Sequence, residues 1–369
     1  MDVFKPYLNR KTTYKGGKGR KDVMAMTEAS KIYKLSSNEN ALGPSPKAIE
    51  AIQKAVEEIY EYPDRTDARL RLALSEFYGS DLEANQFFTQ NSGVAIIEMI
   101  CRAFISPELE SIVTNPCFKP YILFTNQCGG KVIDVPLEEE TFSLNVGGII
   151  EAITENTRLV FITSPNNPTG THIPESVIDE LVDRLPEHVV LVIDEVYYQF
   201  ADALDYVRPL KYVLEGKSVI GVNSFSKAYG LAGMRVGYAY STEQIATYIG
   251  QLNRPFTLSN LAMEGAIAAL EDEAFIDKTV ELVGKERIRI EKALKNRGIK
   301  YWSSQTNFIM IKPDMDAGEF ESEMLKYGVM VRPVAKFGAP GCVRVTIGTE
   351  EANNAYIKAL DHVLNLKIN

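Results

Sequence analysis

From about residue 85 to residue 240, short runs that are nearly all apolar alternate with segments of helical period. Ser111–Thr114 (SIVT), Leu159–Thr163 (LVFIT), Val189–Asp194 (VVLVID) and Ser218–Asn223 (SVIGVN) are the strand candidates. A strand with one wet face alternates polar and apolar residues, whereas a strand covered on both faces stays apolar throughout, as these do. Helical stretches such as Glu175–Arg184 lie between them. That rhythm predicts an α/β fold with a mainly parallel central sheet.

The flanks read differently. Residues 1–45 form an irregular arm, broken early by Gly16, Gly17 and Gly19 and punctuated at its end by Gly43, Pro44 and Pro46. Pro46 opens a helix with Ala48, Ile49, Ile52 and Val56 on one face. Towards the other end, helical patterns at Asn260–Glu271 and Ala274–Arg297 lead to strand-like Asn307–Ile311 and Val343–Ile347, then a last helix. The expected division is a large domain over 46–255 and a smaller α+β domain over 256–369, with the arm on the small-domain side. No internal repeat or low-complexity tract is present.

Composition narrows the function classes. A chain of 369 residues holds about two domains and needs no staple to build its core. The net charge of −9 argues against a nucleic-acid partner, while leaving room for a small anion held by a local cationic cluster. Cys101, Cys117, Cys128 and Cys342 are scattered and read as reduced thiols, most of them buried. His172, His188 and His362 show no metal-binding spacing, so neither a metal site nor a catalytic histidine is expected. The first residues are polar and basic without an apolar core, and no apolar run approaches the ~18 residues of a membrane span. A soluble, cytoplasmic protein is expected.

In an open parallel sheet, ligands bind beyond the carboxyl ends of the strands. Three consecutive strand candidates end in unusual polar residues: one runs into Ser164–Gly170 (SPNNPTG), one ends on Asp194-Glu195, and one runs into Ser224-Phe225-Ser226-Lys227. A lone lysine is most often solvated or in contact with a phosphate. At a strand end with a nearby cation it can instead be a Schiff-base nucleophile. Arg235 follows the small-residue stretch Gly230–Gly233 and, with the hydroxyls of Ser224 and Ser226, makes a cradle for a dianion. Upstream, Gln90–Gly93 precedes an apolar helix over Val94–Phe104, whose first N–H groups suit a phosphate. Asp194 is either a strand-end cap or the carboxylate that keeps a pyridine nitrogen protonated. Lys, Asp, Asn and Arg together point to pyridoxal phosphate, and no glycine-rich nucleotide fingerprint competes.

With these segments in view, the chain resembles the fold-type I pyridoxal-phosphate aminotransferases, most closely their histidinol-phosphate branch. The likeness runs from Lys34–Asn40 (KLSSNEN) to Arg344–Thr349 (RVTIGT), and its most specific stretches are SFSKAYGLAGMRVGY (224–238) and SPNNPTG. The resemblance implies that Lys227 carries the cofactor and shuttles the reacting proton, and that Asp194 pairs with the pyridine nitrogen. Asn167 and Tyr197 would bond the ring hydroxyl and Phe118 would stack on the ring. Ser92, Gly93, Val94, Ser224, Ser226 and Arg235 would hold the phosphate. Tyr62 would reach the neighbouring subunit's cofactor, which implies a homodimer with shared sites. Arg344 would grip the substrate's anionic end, Arg332 would suit a substrate phosphate, and Tyr14 and Asn38 would line the substrate pocket.

The implied reaction is transamination of histidinol phosphate with 2-oxoglutarate, within histidine biosynthesis. An aromatic amino-acid aminotransferase and a decarboxylase of a phosphorylated amino acid use the same cofactor residues and stay open. A non-catalytic regulator on this fold fits less well, because Lys227, Asp194 and Arg235 are all present. Three departures from the family pattern bear on substrate more than on chemistry. Ser92–Ala95 replaces an acidic Gly-Ser-Asp-Glu loop, the Tyr14–Lys18 stretch lacks a proline, and Gln199 stands where glutamate is common.

Overall fold

The computed structural model describes residues 29–79 and 81–364, together with 3, 5–9, 19, 23, 24 and 27. The strands in chain order are β1 (Tyr33–Lys34), β2 (Phe87–Gln90), β3 (Glu110–Val113), β4 (Lys131–Asp134) and β5 (Thr157–Thr163). They continue with β6 (Val190–Asp194), β7 (Val219–Ser224), β8 (Gly237–Tyr240), β9 (Lys300–Tyr301) and β10 (Phe308–Lys312). The last are β11 (Val329–Met330), β12 (Arg332–Pro333) and β13 (Val343–Thr346).

A seven-stranded sheet runs in the order β2-β8-β7-β6-β5-β3-β4. β7, β6, β5, β3 and β4 pair in parallel, and β8 runs antiparallel to both β7 and β2. The continuous apolarity of the central strands has a direct structural counterpart. Leu159, Phe161, Val190, Val192, Ile220 and Val222 pack into one core, while Val160, Ile162, Leu191, Ile193 and Val219 pack into another. Successive side chains point to opposite faces of a strand, so a sheet wrapped on both sides needs apolar residues at every position.

A four-stranded antiparallel sheet, β12-β13-β10-β9, carries its own core of Phe308, Ile311, Val343 and Val345 against Val283, Ile290 and Tyr356. β1 pairs in parallel with β11, and Leu35 O accepts the Thr346 N–H, so residues 33–35 are stitched to this second unit. Residues 36–39 then run directly towards the large sheet's strand ends.

The helix opened by Pro46 spans Pro46–Ala55, and its buried face corrects the expected one. Ala48 and Ala55 are buried and Ile52 is partly so, but Ile49 and Val56 are exposed. The helix Asn260–Leu270 lies against it, and Gly265 lets Ile52 approach where any Cβ would come within 2.8 Å. Among the described residues no helix is long and apolar enough to cross a membrane.

Candidate active site

Five strand ends meet at one rim. β3, β5, β6 and β7 point their carboxyl ends there, and the antiparallel β8 brings its amino end beside the carboxyl end of β7, pairing Ser224 with Gly237. On its other edge β8 pairs Gly237 with Gln90, so the segment entering the helix Gly93–Phe104 arrives at the same place. Gly237 makes this possible, because a Cβ there would lie 2.3 Å from the Gly93 nitrogen.

The rim encloses a cavity of about 360 Å³, within the size range of small-ligand sites. Ser92, Gly93, Val94, Phe118, Asn167, Asp194, Tyr197, Ser224, Ser226, Lys227, Arg235, Asn38, Arg332 and Arg344 all line it. Tyr62 does not. It is 84% exposed and rests on Phe256, with ring centroids 5.1 Å apart. Tyr14 lies outside the described residues.

One end of the cavity is made for a dianion. Ser92 caps the helix Gly93–Phe104, its Oγ accepting the Ala95 N–H at 3.1 Å. The N–H groups of the first turn have no intrahelical acceptor and carry the positive end of the helix dipole. Ser224 Oγ donates to Ser226 Oγ at 2.9 Å opposite them. Arg235 sits at the mouth with φ 58°, in the left-handed region, and donates to Ala232 O at 3.0 Å. A non-glycine residue there is strained, and such strain gathers at functional sites.

Lys227 and Asp194 occupy the floor. Lys227 Nζ lies 3.4 Å from Ser37 O and 5.7 Å from the centre of the Tyr197 ring. Burial, and after it the Arg344 guanidinium, bring its ammonium down to about 8. Burial pushes the Asp194 carboxyl up to about 6, against the Tyr121 hydroxyl and the Val196 N–H that favour its charged form. Tyr121 Oη donates to Asp194 Oδ2 at 2.7 Å and lies 2.8 Å from Thr163 Oγ1. A half-buried lysine close to losing its proton suits a nucleophile, and a fixed buried carboxylate suits a pyridine nitrogen.

The far end is cationic. Arg332 and Arg344 face each other directly across β12 and β13. Side by side, the two guanidinium groups concentrate positive charge at this end of the cavity, where both line it. Arg344 Nη1 donates to Asn167 Oδ1 at 2.6 Å and Nη2 to Ser36 O at 3.0 Å. Asn38, at φ 56°, donates from Nδ2 to Tyr197 Oη at 2.9 Å. Ser36 Oγ is buried without a partner among the described residues, as a polar atom awaiting a ligand is.

Pyridoxal phosphate fits these residues end to end: a dianion cradle, a lysine, a buried carboxylate, and Phe118 as an aromatic lining residue. Sequence reasoning missed Tyr121, Ser36, Ser37 and Phe337. Tyr121 carried a signal, since a tyrosine in the apolar helix Pro120–Gln127 needs a partner for its hydroxyl and stands three residues after Phe118. Ser36, Ser37 and Phe337 carried none, because contacts between distant segments bring them in.

Comparison with known proteins agrees with the geometry. The family model for aminotransferase class I and II matches residues 30–360. The histidinol-phosphate aminotransferase of Akkermansia muciniphila is 41% identical over 334 residues, covering 90% of each chain. That of Geobacillus thermodenitrificans is 34% identical and covers 96% of each. Among solved structures, histidinol-phosphate aminotransferase from Sinorhizobium meliloti in complex with pyridoxal-5'-phosphate superposes with a TM-score of 0.88 at 24% identity, over 99% of this chain and 98% of that one. Aspartate aminotransferase from Thermus thermophilus with maleate gives 0.81 at 23%, over 90% and 92%. At such identities the two structures speak for the fold, and the sequence matches speak for the family. The chain belongs to the class I and II aminotransferases, the pyridoxal-phosphate enzymes whose cofactor its cavity fits.

Proposed function

We propose that the protein transfers the amino group of histidinol phosphate to 2-oxoglutarate, giving imidazole acetol phosphate and glutamate. The observation that carries this reading is the facing pair Arg332 and Arg344, set in the same cavity as Lys227 and Asp194. A substrate phosphate is a dianion, and two guanidinium groups meet it with charge-assisted bonds. The relatives named for that activity support the reading.

In this reading Lys227 Nζ holds the cofactor and then moves the proton lost from the substrate carbon. Asp194 keeps a proton on the pyridine nitrogen, held in orientation by Tyr121. Asn167 and Tyr197 meet the ring oxygen and Phe118 covers the ring face. Ser92, Gly93, Val94, Ser224, Ser226 and Arg235 take the cofactor phosphate. Arg344 and Arg332 take the substrate's, with Asn38 beside it; Tyr14 is a substrate-pocket residue by resemblance alone. Bound there, pyridoxal phosphate supplies a ring that draws off the electron pair released at the substrate carbon. The exposed Tyr62, Tyr60, Ile59 and Phe256 suit the face of a homodimer, in which Tyr62 serves the neighbouring site. The setting is cytoplasmic, with small molecules as the other partners.

A donor panel tests the proposal: histidinol phosphate, phenylalanine, tyrosine and phosphothreonine, each with 2-oxoglutarate. Histidinol phosphate should give the highest kcat/KM, with no carbon dioxide released. Arg332→Gln should cost about tenfold or more for histidinol phosphate, the scale of one lost charged hydrogen bond, and little for phenylalanine. A preference for phenylalanine, or equal losses for both donors, would overturn the phosphate reading.

A further inference from the structure

The two arginines at the substrate end share an aromatic neighbour. Phe337 is buried, lines the cavity, and has Arg344 Cζ 5.7 Å and Arg332 Cζ 5.9 Å from its ring centre. Both fall within the ~6 Å over which a cation is drawn to an aromatic face. The ring belongs to a short 3-10 turn, Ala335–Phe337, that joins β12 to β13, so it sits in the bend between the two arginines' own strands.

That turn is anchored from outside the small sheet. Phe337 O accepts the Cys117 N–H at 3.1 Å, one residue before Phe118. Phe118 itself packs on the apolar cluster of Met310, Val334, Phe337, Ala339 and Cys342. Gly338 follows with φ 100°, and a Cβ there would lie 3.2 Å from Pro116 Cα, so the two loops run close together. The ring therefore keeps its place relative to the Phe118 loop as well as to the arginines.

Two guanidinium groups facing each other across a ladder repel. A ring whose negative face both can approach offsets part of that repulsion without occupying their N–H edges. We infer that Phe337 is a positioning residue that sets anion specificity: its ring holds Arg332 and Arg344 together as one fork for a dianion, favouring phosphate over a carboxylate. This rests on the phosphate-pocket reading above. A monoanion needs one guanidinium and gains little from the pairing, whereas a dianion needs both.

The test uses the cofactor-loaded enzyme with inorganic phosphate and acetate as probes, their Kd values measured by calorimetry and their Ki values against histidinol phosphate. Phe337→Leu should weaken phosphate about tenfold, as two ordinary cation–π contacts are lost together, and leave acetate within about twofold. Phe337→Tyr keeps the ring and should keep the wild-type phosphate-to-acetate ratio. Phe337→Met serves where the leucine variant folds poorly, and the ratio of the two anions is insensitive to general loosening. Equal weakening of both anions, or an unchanged phosphate Kd, overturns the role of Phe337. A wild-type enzyme that does not prefer phosphate to acetate sinks the phosphate pocket itself, and this inference with it.

Discussion

Lys227 should cost the cofactor-free enzyme stability, and replacing it with methionine should recover that stability. Burial and the Arg344 guanidinium lower its folded-state pKa from 10.5 to about 8, so the fold disfavours the ammonium relative to the unfolded chain. A tenfold change in a proton's binding constant corresponds to about 1.4 kcal/mol, which sets an upper bound of about 3 kcal/mol on the penalty. The side chain is only partly covered, so we expect about 2 kcal/mol after allowing for solvent screening. The direction with pH follows from proton counting. Between pH 8 and 10.5 the unfolded chain binds the proton that the folded chain has lost, so stability rises with pH across that window. Below pH 8 the full penalty is present.

Lys227→Met keeps an unbranched side chain, one atom shorter, and removes the charge. Urea unfolding of both cofactor-free proteins from pH 6 to 11 should give the variant about 2 kcal/mol of extra stability near neutral pH. The gap should close between pH 8 and 10.5. Titrating groups that do not interact with Lys227 cancel in the difference between the two curves, and Asp194, which does, titrates at about 6, below the window in which the gap closes. A gap that is absent at pH 7, or that stays constant to pH 11, would refute the claim that the fold strains this amine towards its neutral form.

Borohydride reduction and peptide mapping should place the pyridoxyl group on Lys227, and label on another lysine would end its assignment. Asp194→Ala should lower kcat at least about a hundredfold, the scale of a lost electrostatic stabiliser, whereas a near-wild-type rate would leave Asp194 structural. Tyr121→Phe removes the hydroxyl at 2.7 Å that favours the charged carboxylate, so the acid limb of the kcat profile should move to higher pH; an unmoved limb would mean the bond only packs the core. Tyr62→Phe should weaken cofactor retention, and hybrids with inactive Lys227→Ala subunits should reflect shared sites; sedimentation of a fully active monomer would count against both.

The parts of the fold that were legible in the sequence are those where one physical demand acts on a whole run of residues. β5, β6 and β7 are covered on both faces, so each position must be apolar and the strands stand out. β2, β4 and β8 gave no such signal. Lys131 and Asp134 are exposed at the edge strand β4, and β8 (GYAY) owes its place to partners on both sides. The site divides in the same way. Asp194, Asn167, Ser224 and Lys227 follow one another at parallel strand ends, and the rule that ligands gather there joins them without knowledge of the packing. Tyr121 depends on a hydroxyl finding Asp194 across 73 positions, and Phe337 on a turn meeting the Cys117 loop, and no local pattern encodes either. Arg235 stands between the two cases. Its residue type was readable, but its reach depends on β8 turning back beside β7, which brings the arginine, Ser224 and the helix opened by Gly93 to one rim. Sequence pattern thus finds the groups that a strand end presents. The groups that orient them come from contacts between segments, and they are where substrate specificity should be sought.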